Sequence, residues 1–223
     1  FQTPYNNLLL YHGLGTGKTC SAISVCEEMR GFMKEMGISK RIIIVASPNV
    51  QDNFKLQLFD KRKLKNINGL WNMRACTGNS FLKEINPMYM KGLEKQKVIR
   101  QIERIIRTSY LFMGYTEFSN YITNILKRFE TTKERKAIQK EFNNRLIVID
   151  EVHNIRSTSD NKQKKIANNL LKLVKFTENL KLLLLSATPM FNSYKEVIWL
   201  LNLMNLNDNR FPIKISEVFD KEG

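Results

Sequence analysis

Two short segments of the chain carry residue types that could do chemistry together. In "LLLYHGLGTGKTCSAI" (8–23), the alternating glycines Gly13, Gly15 and Gly17 lead into Lys18 and Thr19. Glycines leave backbone N–H groups free to turn around an anion, Lys18 adds a positive charge, and Thr19 places a hydroxyl where a magnesium ion could use it. A helix beginning near Gly17 would aim its positive end at the same point. The strict phosphate-loop pattern, GxxxxGK followed by Ser or Thr, needs glycine at position 12, where this chain has His12. Gly13 supplies the flexibility one residue later. The candidate nucleotide contacts are therefore Gly13, Leu14, Gly15, Thr16, Gly17, Lys18, Thr19 and Cys20.

A cradle does not by itself hydrolyse what it holds. Farther along, the apolar run "RLIVID" ends in Asp150-Glu151-Val152-His153. Ligands of open α/β sheets bind at the carboxyl edge of the strands, where both carboxylates fall. The two divide the work: Asp150 would hold Mg²⁺ directly or through water, and Glu151 would polarise an attacking water. The next apolar run ends in Ser186-Ala187-Thr188-Pro189. Hydroxyls just past a strand end can bridge the acidic loop and whatever lies across the cleft. Small polar residues before proline commonly close strands, so the order of the three segments is more informative than "SATP" alone.

Positioning these segments requires a parallel sheet. Short β-rich apolar runs alternate with longer helical patterns, as expected for a sheet covered by helices on both faces. The expected strands are Asn7–Tyr11, Arg41–Ala46, Met73–Cys76, Ser109–Met113, Arg145–Asp150 and Leu180–Leu185. Helical patterns cover 18–36, 49–59, 117–129, 160–178 and 192–204. Asn49 and Thr116 are the expected N-caps of two of them, with Asp52 favouring the dipole of the first. Two stretches look like helical insertions: 81–109, expected to be helical after Pro87, and 127–145, a polar helix or helix pair. Both are richer in Lys and Arg than in acids; a solvated face is the ordinary reading and groove-lining charge the sharper one. Val197, Leu201 and Met204, with Ile198 beside them, read as the packing face of the last helix. With no repeat and no clear linker, residues 1–223 are expected to form one α/β domain.

The charge balance narrows the partners. Thirty-six Lys and Arg against 21 Asp and Glu give a net charge of +15, which favours a polyanion. Cys20, Cys26 and Cys76 lack CxxC spacing, so neither a disulfide framework nor a zinc site is expected, and the set suits a reducing compartment. No apolar run approaches the roughly 18 residues of a spanning helix, and none reads as a signal peptide, so no membrane partner is expected. The start at Phe1, with the cradle already reached at Gly13, leads to the expectation of a piece of a longer protein.

Taken in order, "GLGTGKT", "VIDEVH" and "LSATP" resemble motifs I, II and III of a superfamily 2 helicase or translocase of the DExH kind. "IIIVASPNVQDNF" (42–54) is similar to motif Ia, which in that superfamily lies against the nucleic-acid backbone. More narrowly, "SPNVQDNFKLQLFD" and "SATPMFNSYKEVIWLLNLMN" are similar to the poxvirus-type helicases of large cytoplasmic DNA viruses. The resemblance covers nearly the whole chain. It implies a RecA-like P-loop NTPase fold acting as the first motor domain, with ATP and Mg²⁺ as cofactors. Lys18 and Glu151 would be catalytic, Thr19 and Asp150 would hold the metal, and His153, Ser186 and Thr188 would couple nucleotide state to the polymer.

Ser47, Asn49 and Asn53 would meet phosphate oxygens of DNA or RNA, with the basic run "KRKLK" (61–65) shortly after them. Gly114 and Tyr115 occupy the region where related motors touch the strand again; for Tyr115 a core aromatic is favoured over base stacking. Such motors bind ATP between two RecA-like domains, and no motif IV to VI follows Pro189, so a C-terminal RecA-like domain is an expected missing partner. The adenine-reading glutamine of the superfamily has Gln2 as its N-terminal candidate. The viral resemblance adds viral transcription proteins as partners and the host cytoplasm or virion as location. It also leaves open an ATPase of a viral transcription initiation or termination complex that separates no strands. A P-loop kinase is disfavoured by the pairing of DEVH with SATP.

Overall fold

The runs IIIV (β2, Ile42–Val45), LIVI (β6, Leu146–Ile149) and KLLLLS (β7, Lys181–Ser186) are apolar on successive residues, so each of these strands must be covered on both faces. The computed structural model describes residues 3–13, 15–127, 133–155, 161–188 and 194–219. In it these strands form the centre of a five-stranded parallel sheet, flanked by β1 (Asn7–Tyr11) and β5 (Tyr110–Met113) in the order β1-β7-β6-β2-β5. This is the RecA-like α/β arrangement expected from the chain.

Alternate residues of the central strands feed two separate cores. Ile42, Ile44, Leu146, Val148, Leu183 and Leu185 pack beneath α1 (Lys18–Glu35), α2 (Pro48–Leu58), α3 (Ser80–Ile85) and α4 (Lys95–Ser109). Ile43, Val45, Ile147, Ile149, Leu182 and Leu184 pack beneath α5 (Tyr115–Lys127), α6 (Glu134–Phe142), α7 (Asn161–Phe176) and α8 (Tyr194–Asn207). The period of two along each strand sends its side chains to opposite layers.

The register brings the loops together. Tyr11 lies beside Ser186, and Ile149 beside Leu184. In a parallel pair that alignment puts the residues after Ile149 level with the end of β7, next to the segment leaving β1.

Several local expectations are corrected. The strand expected at Met73–Cys76 is instead the second arm of an antiparallel hairpin, β3 (Leu64–Ile67) with β4 (Leu70–Met73), outside the main sheet. Asn68 (φ 52°) and Gly69 (φ 84°) make its two-residue turn, the backbone that an Asn-Gly pair favours. Within 81–109 a helix also precedes Pro87 (α3), and the one after it starts only at Lys95. Helix α2 has Ser47, not Asn49, at its cap position and Pro48 in its first turn, where a missing N–H costs nothing. Thr116 does not cap α5: the Gly114 N–H donates to the Glu117 carboxylate at 3.3 Å. In α8 the buried apolar positions are Ile198, Leu200 and Leu203, while Leu201 is exposed.

The cysteine expectation is also overturned. Cys20, in the first turn of α1, and Cys76, in the loop before α3, are joined by a disulfide, with Cα atoms 5.2 Å apart. Cys26 is free and buried. The bridge closes a separation of 56 residues, and such closure restricts the unfolded chain. Reduction by a dithiol is expected to lower the unfolding free energy by up to about 4 kcal/mol on the chain-entropy relation. A fall in the denaturant midpoint on reduction, absent from Cys76→Ser, checks this.

Candidate functional site

Strand β1 empties into the glycine segment at the carboxyl edge of the sheet. The His12 N–H donates to the Ser186 carbonyl at 3.3 Å, which ties the start of the segment to β7. The Thr16 hydroxyl donates to the Gly13 carbonyl at 2.8 Å. Gly15 (φ 78°) and Gly17 (φ 87°) hold left-handed backbone; a Cβ on either would meet nothing within 4 Å. Conformation, not crowding, is therefore what requires glycine there. Gly17 is the cap of α1, and its carbonyl accepts the Ser21 N–H at 3.0 Å. The first turn of this 18-residue helix contains no acidic side chain, so its positive end is left for an external anion. Cys20 commits its sulfur to the disulfide, which leaves its backbone N–H as the group it can offer. Leu14, Gln2 and Pro189 lie outside the described residues.

Opposite the cradle, the buried strand β6 delivers the acid pair. Asp150 is 6% exposed; its N–H donates to the Val45 carbonyl at 2.9 Å, and its carbonyl accepts the Tyr115 hydroxyl at 2.8 Å. Burial, then the charge of Glu151, raise its carboxyl above the usual range, partly offset by Lys18. Glu151 adopts a left-handed φ of 43°, a conformation that costs a non-glycine residue about 1–2 kcal/mol. Next to it the chain enters a 3₁₀ turn, Val152–Asn154.

The side chains then converge. Lys18 Nζ lies 2.8 Å from Glu151 Oε1. Glu151 Oε2 is buried and 3.2 Å from His153 Nδ1, within ion-pair reach but outside hydrogen-bond geometry. The same His153 nitrogen lies 3.3 Å from Ser186 Oγ and 3.5 Å from Thr188 Oγ1, and the Thr188 N–H donates to Ser186 Oγ at 3.0 Å. Residues from three separate segments thus form one connected polar cluster. Thr19 and Asp150 are hard oxygen donors of the kind Mg²⁺ takes. Among the described residues no three or more His, Cys, Asp or Glu side chains gather to hold a metal. Phosphate oxygens and water would supply the remaining ligands, as is usual for Mg²⁺.

The candidate polymer contacts are more dispersed. Ser47 and Gly114 follow the neighbouring strand ends Val45 and Met113, at the same edge as the cradle. Asn49 and Asn53 are exposed on α2. That helix has 11 residues and so carries the chain about 16 Å back along the sheet. The basic run at 61–65 therefore sits away from Ser47, as a 3₁₀ turn leading into β3.

Tyr115 does not present an open ring. It is half-buried, its hydroxyl holds the Asp150 carbonyl and accepts from Asn154 Nδ2 at 3.4 Å, and burial pushes its pKa up to about 12. This clamp on the acidic loop has no signature in the sequence, because the partners lie 35 residues apart. Tyr115→Phe is expected to destabilise the fold by about 1 kcal/mol and to speed amide exchange at 150–154, measured by hydrogen–deuterium exchange.

A parallel sheet that sends a Gly-Lys-Thr turn and an acid pair to one edge defines the RecA-like class of P-loop proteins. The SNF2-related domain matches residues 2–220, and the chain belongs to this family of superfamily 2. Among its relatives is "Putative helicase 087L" of Invertebrate iridescent virus 3, 27% identical over 99% of this chain and 20% of that protein. Others are "Putative ATP-dependent RNA helicase L377" of Acanthamoeba polyphaga mimivirus, 24% identical over 99% of this chain and 19% of that protein, and "Putative helicase 009L" of Frog virus 3, 28% identical over 91% and 18%. The chain spans about a fifth of the length of these relatives. No helix among the described residues is long and apolar enough to cross a membrane.

Proposed function

We propose that the chain is the first RecA-like half of an ATP-driven nucleic-acid helicase or translocase, completed by a second RecA-like domain supplied elsewhere. The observation that carries this reading is the 2.8 Å approach of Lys18 Nζ to Glu151 Oε1, which supports assigning the cation to phosphate and the carboxylate to the attacking water at one point. Names of the relatives, which include "helicase" and "ATP-dependent RNA helicase", support the same direction.

In this reading Lys18 exchanges its carboxylate partner for the terminal phosphates of ATP, held further by the N–H groups of Gly15 to Cys20. Thr19 and Asp150 would hold Mg²⁺, which when bound neutralises phosphate charge. Freed from Lys18, Glu151 orients and polarises the attacking water. His153 bridges Glu151 to Ser186 and Thr188, so a change at the acid is transmitted to the end of β7. Ser47, Asn49, Asn53 and Gly114 are assigned to the nucleic-acid backbone.

ATP turnover by the longer protein, measured with single-stranded DNA, duplex DNA and RNA at two salt concentrations, tests the proposal. Stimulation that weakens steeply with salt is the expected result. Turnover indifferent to every nucleic acid and dependent on a small-molecule acceptor would overturn it, and would restore a kinase reading.

A further inference from the structure

Helix α4 buries Val98, Ile99 and Ile102 against the first core. At 3.6 residues per turn, Lys97, Arg100, Arg104 and Arg107 fall within about 80° of one another, centred opposite that buried stripe, and span about 15 Å. All four are exposed, and none of their side chains forms an ion pair or hydrogen bond among the described residues. Glu103 is the helix's only acid. Across a groove lined by Leu56, Phe59, Asp60, Lys61, Arg62 and Glu103, in which Asp60 is paired with Arg62, the 61–63 turn adds Lys61 and Lys63, both exposed and in no ion pair among the described residues.

Fold stability does not account for this pattern. Successive like charges at spacings of three and four repel on a helix surface, and the stripe holds three such steps in a row. Its chemistry suits a polyanion with regularly spaced phosphates, and three of its four cations are the planar guanidinium that binds phosphate oxygens in pairs. A lipid surface fits less well, because α4 exposes no large apolar side chain to enter it.

We infer that the exposed stripe Lys97–Arg100–Arg104–Arg107 of α4, extended by Lys61 and Lys63, is a second nucleic-acid backbone site, apart from the contacts at the carboxyl edge of the sheet. The inference rests on the nucleic-acid reading above and adds to it where the polymer is held. The Lys61–Lys63 turn follows α2, which leads back from the carboxyl edge, and α4 lies beside that turn across the groove, so a duplex bound there would extend the footprint of the domain beyond the carboxyl-edge contacts.

Binding of a fluorescently labelled duplex and single strand is measured by anisotropy across a salt series, for the wild-type chain, for R100A/R104A/R107A and for R100K/R104K/R107K. Loss of three phosphate contacts is expected to reduce the slope of log K against log[salt] by about 2.7 on duplex and to weaken binding about tenfold or more at low salt. The lysine variant should keep most of the slope, and Mg-ATP affinity should be unchanged in both variants. The alanine variant should melt at or above the wild-type temperature, since it removes like-charge pairs and adds good helix formers. A variant that melts well below wild type marks the arginines as packing residues and overturns the assignment. An unchanged slope in the alanine variant overturns the stripe while leaving the motor reading intact; a wild type that binds no nucleic acid overturns both. If the alanine variant instead loses binding to phosphatidylserine-containing vesicles with its duplex slope intact, the face belongs to a membrane surface and the assignment falls.

Discussion

Lys18→Ala is expected to weaken Mg-ATP binding by at least about a hundredfold, the loss of a charge-assisted contact made in a partly desolvated site. The side chain is only 12% exposed and its ammonium meets a single carboxylate, that of Glu151. Removal therefore has two consequences. The phosphates lose their one lysine at the cradle, and Glu151, itself three-quarters covered, loses its cation. Its loss also raises the cost of keeping Asp150 charged, because the Lys18 charge is one of the influences that offset the raised pKa of Asp150. Titration calorimetry with Mg-ATP reads the first effect and a thermal melt reads the second. Affinity equal to wild type would remove Lys18 from the nucleotide site.

Glu151→Gln separates holding from hydrolysis. Glutamine matches the shape of glutamate and can still accept from Lys18, so ATP affinity should stay close to wild type. It cannot take a proton or polarise water as a carboxylate does, and general-base loss typically lowers turnover by 10²–10⁴-fold. The charge lost from Glu151 also removes one of the two influences that raise Asp150, after burial. Pre-steady-state hydrolysis by the longer protein, alongside nucleotide binding, makes the comparison. Normal turnover in the glutamine variant would take the base role from Glu151.

The five parallel strands are legible in the chain because doubly covered strands read as unbroken apolar runs, and their observed ends lie within a residue or so of those expected. The glycine cradle and the acid pair are legible because their chemistry needs particular residue types at short spacing. The hairpin was legible in principle: Asn68-Gly69 between two short runs is its turn signal, and the apolar pull of Met73–Cys76 toward the main sheet obscured it. The clamp from Tyr115 to Asp150 was not legible, since a tyrosine after a strand reads as a core aromatic and nothing local names a hydroxyl partner 35 residues away.

Local chemistry and periodicity alone determined the layered α/β class, the glycine turn before α1 and the acid loop after β6, since turn preferences and side-chain alternation act over a few residues. Tertiary structure alone decided that Lys18 meets Glu151 across 133 residues, that Cys20 meets Cys76 across 56, and that the cations of the α4 stripe stay exposed with no ion pair among the described residues. The physical reason is that strand register and helix packing set those distances, and both follow from how the whole core closes rather than from any short stretch of chain.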